Sequence, residues 1–273
     1  MILLGACGFS YDEWGGGVYY PAGLPKSAML DYYAQHFPAV ELDVTYYRTP
    51  PRTSAEGMVR TAAGRLDFCV KAPGALTHER NSTESVITPF RNFLEPFQNA
   101  EKLGAVLFQF PVSFRPGVEE WKLVEQIAKE FVDCRRVIEF RQAAWDDPKI
   151  DERVRALGYS RAIVDQPGLR GMSASARIAS SAKQDIAYIR FHGRNAAEWY
   201  GGDALARYTY NYSNEELREW APRITEIARD ATTTYVFFNN HAQGGAPANA
   251  QTLADILQLP IKRPDIPQRD LFG

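Results

Sequence analysis

Residues 136–141 read Arg-Val-Ile-Glu-Phe-Arg, and this stretch decides the fold prediction. Its run of Val, Ile and Phe is typical of a buried β-strand. Because side chains alternate across a strand, Val137, Glu139 and Arg141 share one face. A carboxylate and a guanidinium near the end of an apolar strand cost free energy unless they are paired and hydrogen-bonded. We therefore interpret Glu139 and Arg141 as candidates for a functional site.

Seven further apolar runs resemble this one, and helical patterns connect most of them. The predicted strands are Ile2–Leu4, Ala39–Val44, Asp67–Lys71, Ala105–Phe110, Arg136–Arg141, Ser160–Asp165, Asp185–Phe191 and Thr233–Phe238. The predicted helices are Ala28–His36, Thr53–Ala63, one from Thr88 or Pro89 to Lys102, Glu119–Phe131, Pro148–Ala156, Ser213–Arg229 and Pro247–Leu257. Alternation of this kind predicts an α/β fold, a closed parallel TIM (β/α)8 barrel. A doubly wound sheet would need a Gly-rich phosphate loop after an early strand, and the chain has no GxGxxG.

Length and composition bound the class of protein. The 273 residues suffice for one large domain, which we place over residues 1–258, with a Pro-rich tail over 259–273. A net charge of -2 gives no global basic field, so any contact with nucleic acid would need a local patch. No apolar run is as long as a membrane span, and three cysteines without CxxC spacing favour a reducing, cytoplasmic setting.

Polar side chains collect at the carboxyl ends of the predicted strands, which is where barrel enzymes place their active sites. The acidic members are Glu41, Asp43, Glu139 and Asp165. The basic members are Lys71, Arg141 and Arg190, with Arg48 just beyond the second strand. The remaining candidates for substrate contact or proton transfer are Gln109, Asn239, Asn240, His78, His192, Trp145 and Tyr47. Alternatively, some of these are ion pairs within the barrel, such as Glu139 with Arg141 or Asp165 with Arg190.

Three functions remain open. A mixed ring of cations and carboxylates suits an enzyme for a phosphate-bearing substrate, including a phosphodiester in nucleic acid. In that hypothesis Lys71, Arg141 and Arg190 hold the anion, and Glu139 and His192 transfer protons. A divalent metal would be an additional option, with Glu41, Glu139, Asp165 and His192 as ligands. The alternatives are a glycoside hydrolase using Glu41 and Glu139 as its carboxylate pair, or a non-catalytic adaptor for an anion or a protein.

Several stretches together resemble the YecE-like family, a TIM-barrel family of unknown function. The matching segments are Gly5–Tyr11, Phe37–Arg48, Phe68–Pro73 with Thr77 and His78, Leu107–Phe114, Val137–Trp145, Ile163–Asp165, Tyr188–Gly193 and Tyr235–Asn240. The resemblance implies the barrel fold and supplies no activity. This chain has Gln142, His241 and Ala246 where the family usually has His, Asp and His. A mechanism that relies on those His residues is therefore not implied here.

The tail carries a separate motif. Residues 268–272 read Gln-Arg-Asp-Leu-Phe, which is similar to the short peptide that docks bacterial DNA-processing proteins on the sliding clamp. Leu271 and Phe272 would fill an apolar groove, and Gln268 would form hydrogen bonds at its rim. The alternative is that Leu271 and Phe272 pack back on the barrel.

Overall fold

The predicted barrel is confirmed by the computed structural model, which describes residues 1–174, 184–197, 199 and 208–264. The strands are β1 (Ile2–Ala6), β2 (Ala39–Leu42), β3 (Asp67–Lys71), β4 (Leu103–Phe110), β5 (Arg136–Phe140), β6 (Tyr159–Asp165), β7 (Gln184–Phe191) and β8 (Ala231–Phe238). They pair in parallel in one sheet. Because the first strand, β1, pairs with the last, β8, the sheet curves round into a barrel. Their carboxyl ends therefore meet on one face.

Helices connect the strands. They are α1 (Met29–Tyr33), α2 (Val44–Tyr47), α3 (Arg52–Ala62), α4 (Gly74–Thr77), α5 (Glu84–Asn99), α6 (Val118–Glu130), α7 (Pro148–Ala156), α8 (Asn214–Arg229) and α9 (Gly245–Ile256). A capping box formed by Ser213 and Glu216 is present at the start of α8.

Several boundaries differ from the prediction, and two of these differences have a local explanation. We expected a helix to begin at Thr88 or Pro89, but α5 begins at Glu84 and holds Pro89 in its interior. The helix starts earlier because the backbone of Thr83 is extended and its hydroxyl is hydrogen-bonded to Asn81 and Ser85. The preceding loop therefore ends at Thr83. Likewise β2 ends at Leu42 rather than Val44, and the chain turns at once into α2.

The two faces of the strands form two cores. The inner face fills the barrel with mostly small and aliphatic side chains, together with three aromatic rings. These buried inner residues are Cys7, Ala39, Cys69, Ala105, Leu107, Val137, Ala162, Val164, Ile186, Tyr188, Tyr235 and Phe237. The outer face packs against the helices; on β5, for example, Phe140 stacks on Trp145 with ring centroids 4.0 Å apart. The predicted alternation on β5 is therefore confirmed.

The seam between β1 and β2 is closed by a side chain instead of a full ladder. Only one bridge, Cys7 with Glu41, joins the two strands among the described residues. Below it the buried Tyr33 hydroxyl accepts from the Ala6 amide at 2.7 Å and donates to the Ala39 carbonyl at 3.0 Å. Gly5 is required here, since a Cβ at that position would lie 2.0 Å from the Ala39 oxygen.

The described chain continues past the last helix to residue 264. Leu259 and Ile261 pack against the helix layer. The tail residues Gln268, Leu271 and Phe272 lie outside the described part of the chain. Among the described helices, none has both the length and the apolar character needed to cross a bilayer.

We expect Tyr33→Phe to lower the free energy of unfolding by about 1–3 kcal/mol, because it leaves a buried amide and a buried carbonyl without a partner. The measurement is urea denaturation. Tyr19→Phe is the matched control, because the Tyr19 hydroxyl belongs to the same aromatic cluster and has no partner among the described residues. Equal stability of the two variants would contradict the role of Tyr33 at the seam.

Candidate functional site

A cavity of about 830 Å³ opens over the carboxyl ends of the strands. Most of the polar candidates meet there, together with a set of aromatic rings. Its lining residues are Tyr11, Asp43, Val44, Tyr46, Tyr47, Lys71, His78, Gln109, Pro111, Val112, Arg141, Met172, Arg190, Trp199, Tyr208, Asn239 and His241. This size is within the usual range for a small-molecule site.

The floor of the cavity is an ion-pair network around Arg190, which is 2% exposed. Its Nε and Nη2 donate to the two oxygens of Glu41 at 2.9 and 2.5 Å, a bidentate pair. Its Nη1 donates to Glu139 at 2.6 Å, and Tyr188 adds a hydrogen bond to Glu41 at 2.7 Å. With further contacts to Cys7 and His192, all five N–H groups of Arg190 face a partner.

Arg141 lies directly above this floor. Its Nε donates to Glu139, its Nη1 donates to Gln166 at 2.9 Å, and its Nη2 faces the Nε2 of His192 at 2.8 Å. A guanidinium carries five N–H groups. Two N–H groups of Arg141 thus have no acceptor among the described residues, and this side chain lines the cavity.

Glu139 and His192 are both buried beneath the guanidinium groups. Burial alone would raise the pKa of Glu139, but the charges of Arg141 and Arg190 hold it well below the usual value. Burial, followed by Arg141 and Arg190, lowers the pKa of His192 well below its ordinary value. His192 is therefore neutral, and its Nε2 accepts from the guanidinium groups. Its Nδ1 lies 2.9 Å from the side-chain amide nitrogen of Asn239.

A second layer of polar groups lines the cavity two residues further along the strands. We call Asp43, Lys71, Gln109 and Arg141 the upper layer. Burial, followed by the charge of Glu41, raises the pKa of Asp43. Burial, followed by Arg190, lowers the pKa of Lys71 to about 8. The Lys71 ammonium stands 4.3 Å from the Tyr46 ring centre, and no carboxylate among the described residues pairs with it.

Gln109 has the clearest unused polar group. It is 7% exposed, lines the cavity, and its amide has no hydrogen-bond partner among the described residues. Buried amides of this kind are normally satisfied, because an unmade hydrogen bond costs free energy. The Asp43 carboxylate likewise has no hydrogen-bond partner within the described ranges. Both groups are therefore available for hydrogen bonds to a molecule in the cavity.

A shallower groove of about 440 Å³ adjoins the cavity and shares three of its residues. These are Tyr46, Tyr47 and His78. Arg48 lines this groove and not the cavity, so the structure separates it from the other predicted anion-binding residues. Tyr47 is 84% exposed at the boundary. Burial, followed by Lys71, lowers the pKa of His78 to about 4, which leaves that ring neutral.

Besides Arg48, three predicted site residues lie away from both the cavity and its floor. The Asp165 carboxylate faces the helix layer, where it binds Arg194, Tyr212 and Trp220. Trp145 is stacked on Phe140 and donates to the Phe114 carbonyl. Asn240 bonds to Tyr210 and Asn249, one residue out of phase with Asn239. The expectation that Asp165 joins the pocket, or pairs with Arg190, is therefore wrong.

Sequence reasoning also missed residues that the site uses. Gln166, which binds Arg141, follows Ala162 and Val164 on the inner face, so counting in steps of two would have found it. His241 stacks on Tyr11 at 4.5 Å and lines the cavity after β8. Asp43 is among the polar residues predicted at the strand ends, but none of the three predicted functions gives it a role. No spacing rule reveals that it alone among these carboxylates faces the cavity.

The proposed set of metal ligands does not come together. Within the described ranges, no group of three or more His, Cys, Asp or Glu side chains has the geometry to hold a metal ion. Glu41 and Glu139 instead bind Arg190, and Asp165 points outwards.

The fold and the cavity define the class: a parallel eight-stranded α/β barrel with a polar pocket at the carboxyl ends of its strands. Residues 3–270 match the family described as "Protein of unknown function DUF72", so the chain belongs to that family, as the YecE-like resemblance implied. It is 29% identical to the UPF0759 protein YunF of Bacillus subtilis, with both chains covered in full.

Two solved structures of the same family agree with this assignment. A DUF72 family protein from Thermotoga maritima is 34% identical, with a TM-score of 0.85, over 94% of this chain and 99% of the other. A DUF72 family protein from Enterococcus faecalis is 26% identical, with a TM-score of 0.81, over 99% of this chain and 100% of the other.

Glu139→Gln tests the floor of the cavity. Glu139 is 1% exposed and binds two guanidinium groups. We expect a loss of about 3–5 kcal/mol in unfolding free energy, as for other broken buried pairs. Glu119→Gln, at an exposed pair with Lys122, is the control and should cost less than about 1 kcal/mol.

Lys71→Met tests the shifted amine. The folded-state pKa of Lys71, about 8, lies below the ordinary value of 10.5 expected when the chain is unfolded. Between these values the unfolded chain holds more protons, so wild-type stability rises with pH across this window. Relative to Lys71→Met, the wild type should gain up to about 3 kcal/mol from pH 8 to 10.5. Lys122→Met corrects for losing a charge, and a pH-independent difference would contradict the shift.

Proposed function

We propose that this protein is an enzyme that acts on a phosphate-bearing substrate bound in the cavity over the strand ends. The observation that carries the proposal is the set of unused polar groups in the upper layer. Arg141 offers two N–H groups, and Gln109 and Lys71 offer donors without described partners. A planar guanidinium suits phosphate oxygens, because it binds them through two parallel hydrogen bonds.

Arg190 plays a different part from the one predicted for it. Its N–H groups are all committed to the floor, so it contributes charge and position, not a direct hydrogen bond to the anion. Glu139 and His192 likewise hold Arg141 in place from below. We assign them positioning roles, because neither lines the cavity.

Asp43 is the group best suited to transfer protons. It lines the cavity, and its raised pKa brings it closer to neutral pH, where a general acid or base is most effective. For a phosphodiester substrate, Asp43 would activate water or protonate the leaving oxygen while Arg141 and Lys71 offset the charge on the phosphate. The aromatic rim at Tyr46, Tyr47 and Tyr208 would receive a base or a sugar ring.

The alternatives have less support. A glycoside hydrolase would need Glu41 and Glu139 to reach the sugar, but both are buried and bound to the same guanidinium. A non-catalytic adaptor would use the polar residues at the strand ends in mutual salt bridges. Lys71, Asp43 and Gln109 do not fit that description. These three have no such partner among the described residues.

We expect inorganic phosphate, a mononucleotide and short single-stranded DNA to bind the purified protein, measured by isothermal titration calorimetry. Gln109→Met should weaken phosphate binding about tenfold or more, because it removes one hydrogen bond to a charged ligand without breaking a described internal one. Asp43→Asn is the matched cavity variant. It removes a negative charge, so phosphate should bind as well or better, while turnover of a phosphodiester substrate is lost. Failure of all three ligands to bind at millimolar concentration would contradict the proposal.

The tail supports a separate proposal from its sequence alone. We propose that Gln268, Leu271 and Phe272 dock on a bacterial sliding clamp, which would bring the barrel to DNA. A peptide of residues 262–273 should bind the clamp at micromolar concentration, and the Leu271→Ala/Phe272→Ala peptide should not, because the apolar anchors are lost. The measurement is fluorescence anisotropy. Absence of binding by the native peptide at high micromolar concentration would refute clamp docking and remove the main reason to prefer DNA.

A further inference from the structure

We propose that the substrate is a phosphate-bearing aldehyde or ketone, and that Lys71 forms a covalent imine with its carbonyl carbon. The inference rests on the proposed function for the phosphate and adds the chemistry of the group next to it. It starts from where Lys71 lies. Lys71 ends β3 and lines the cavity, with its ammonium over the Tyr46 ring and no described carboxylate within ion-pairing distance.

An unpaired lysine in a cavity is unusual for a structural residue. Buried lysines normally form an ion pair. At the opposite end of the barrel, for example, Lys102 reaches Asp67 at 3.4 Å. Lys71 has no such ion pair, although its neighbours Arg141 and Arg190 both have one. A structural role in charge pairing therefore does not explain Lys71.

The surroundings of Lys71 favour its neutral form. Burial and the nearby guanidinium of Arg190 bring its pKa to about 8. At pH 7 roughly a tenth of such amines are neutral, against well under about a thousandth for an ordinary lysine. A desolvated lysine beside another cation is the arrangement that makes an amine nucleophilic towards carbonyl groups. An ordinary anion-binding lysine needs no such shift.

The reaction balances with groups that the cavity contains. Asp43 first takes a proton from the Lys71 ammonium. The Nζ lone pair of the neutral amine then attacks the carbonyl carbon, and the carbonyl electron pair moves to oxygen, which takes that proton back from Asp43 and becomes a hydroxyl. Asp43 accepts the proton that leaves nitrogen and returns one to the hydroxyl, which departs as water while the C=N bond forms. From the ammonium form, the net change is the loss of one water. No oxidant or reductant is needed.

The groups proposed to bind the phosphate and the carbonyl of one substrate lie on neighbouring strands. Gln109 lies on β4, and Arg141 directly follows β5. Lys71 ends β3, which pairs with β4. An anion on Arg141 offsets the positive charge that the iminium retains. Two sources share this chemistry: a free sugar phosphate in its open-chain form, and the deoxyribose of an abasic site within a DNA strand.

The test is reductive trapping of the full-length protein. The protein is incubated with ribose 5-phosphate, or with an oligonucleotide that contains one abasic site, and sodium borohydride then reduces any imine to a stable amine. Peptide mapping by mass spectrometry should find the adduct on Lys71, heavier by the substrate less one oxygen atom. The arm that labels faster identifies the source. Excess inorganic phosphate should lower the yield at least fivefold, and ribose without phosphate should label poorly.

Variants complete the test. Lys71→Arg should lose the adduct, and Lys102→Arg should keep it; circular dichroism checks that both are folded. Mapping within the wild type does not depend on either variant. If neither probe labels Lys71 above the surface lysines, the imine is overturned, while phosphate binding stands on its own titration. Labelling of Lys71 that phosphate neither requires nor blocks would instead overturn the proposed phosphate site and leave the imine.

Discussion

The guanidinium of Arg190 is the constraint on which the rest of the site depends. A cation enclosed in a barrel costs several kcal/mol unless every N–H finds a partner. Glu41 on β2 and Glu139 on β5 supply most of these partners from strands that are not neighbours in the sheet. The same contacts therefore neutralise the charge and tie distant strands together. Replacing one of these carboxylates would leave a buried cation and release that tie.

The site works in two layers because the period of a strand is two residues. Glu41 and Glu139 belong to the floor, and the residues two positions further on, Asp43 and Arg141, face the cavity. The floor uses its hydrogen-bonding groups internally, and the upper layer leaves several unused. Rigidity below and free donors above are what a preorganised binding site requires, since the polar groups need not move when the ligand enters.

Much of this could be predicted from sequence, because apolar runs and alternation are local properties. Eight strands and the shared face of Glu139 and Arg141 followed from them. The predictions failed where a residue was chosen by its type and not by the face of the strand on which it lies. Asp165 was chosen for its charge, whereas Gln166 lies on the face that points into the barrel. Which carboxylate binds Arg190, and which remains free, depends on distances across the barrel that no local pattern encodes.

A bound phosphate would also change the upper layer it enters. Its negative charge stabilises the ammonium form of Lys71, so phosphate alone works against a neutral amine. The cavity contains a compensating group, because burial and Glu41 already raise the pKa of Asp43, which makes this carboxylate a better acceptor for the proton. Anion binding and amine chemistry are compatible only when such a base shares the cavity. The free carboxylate of Asp43 is therefore as necessary to this site as its cations.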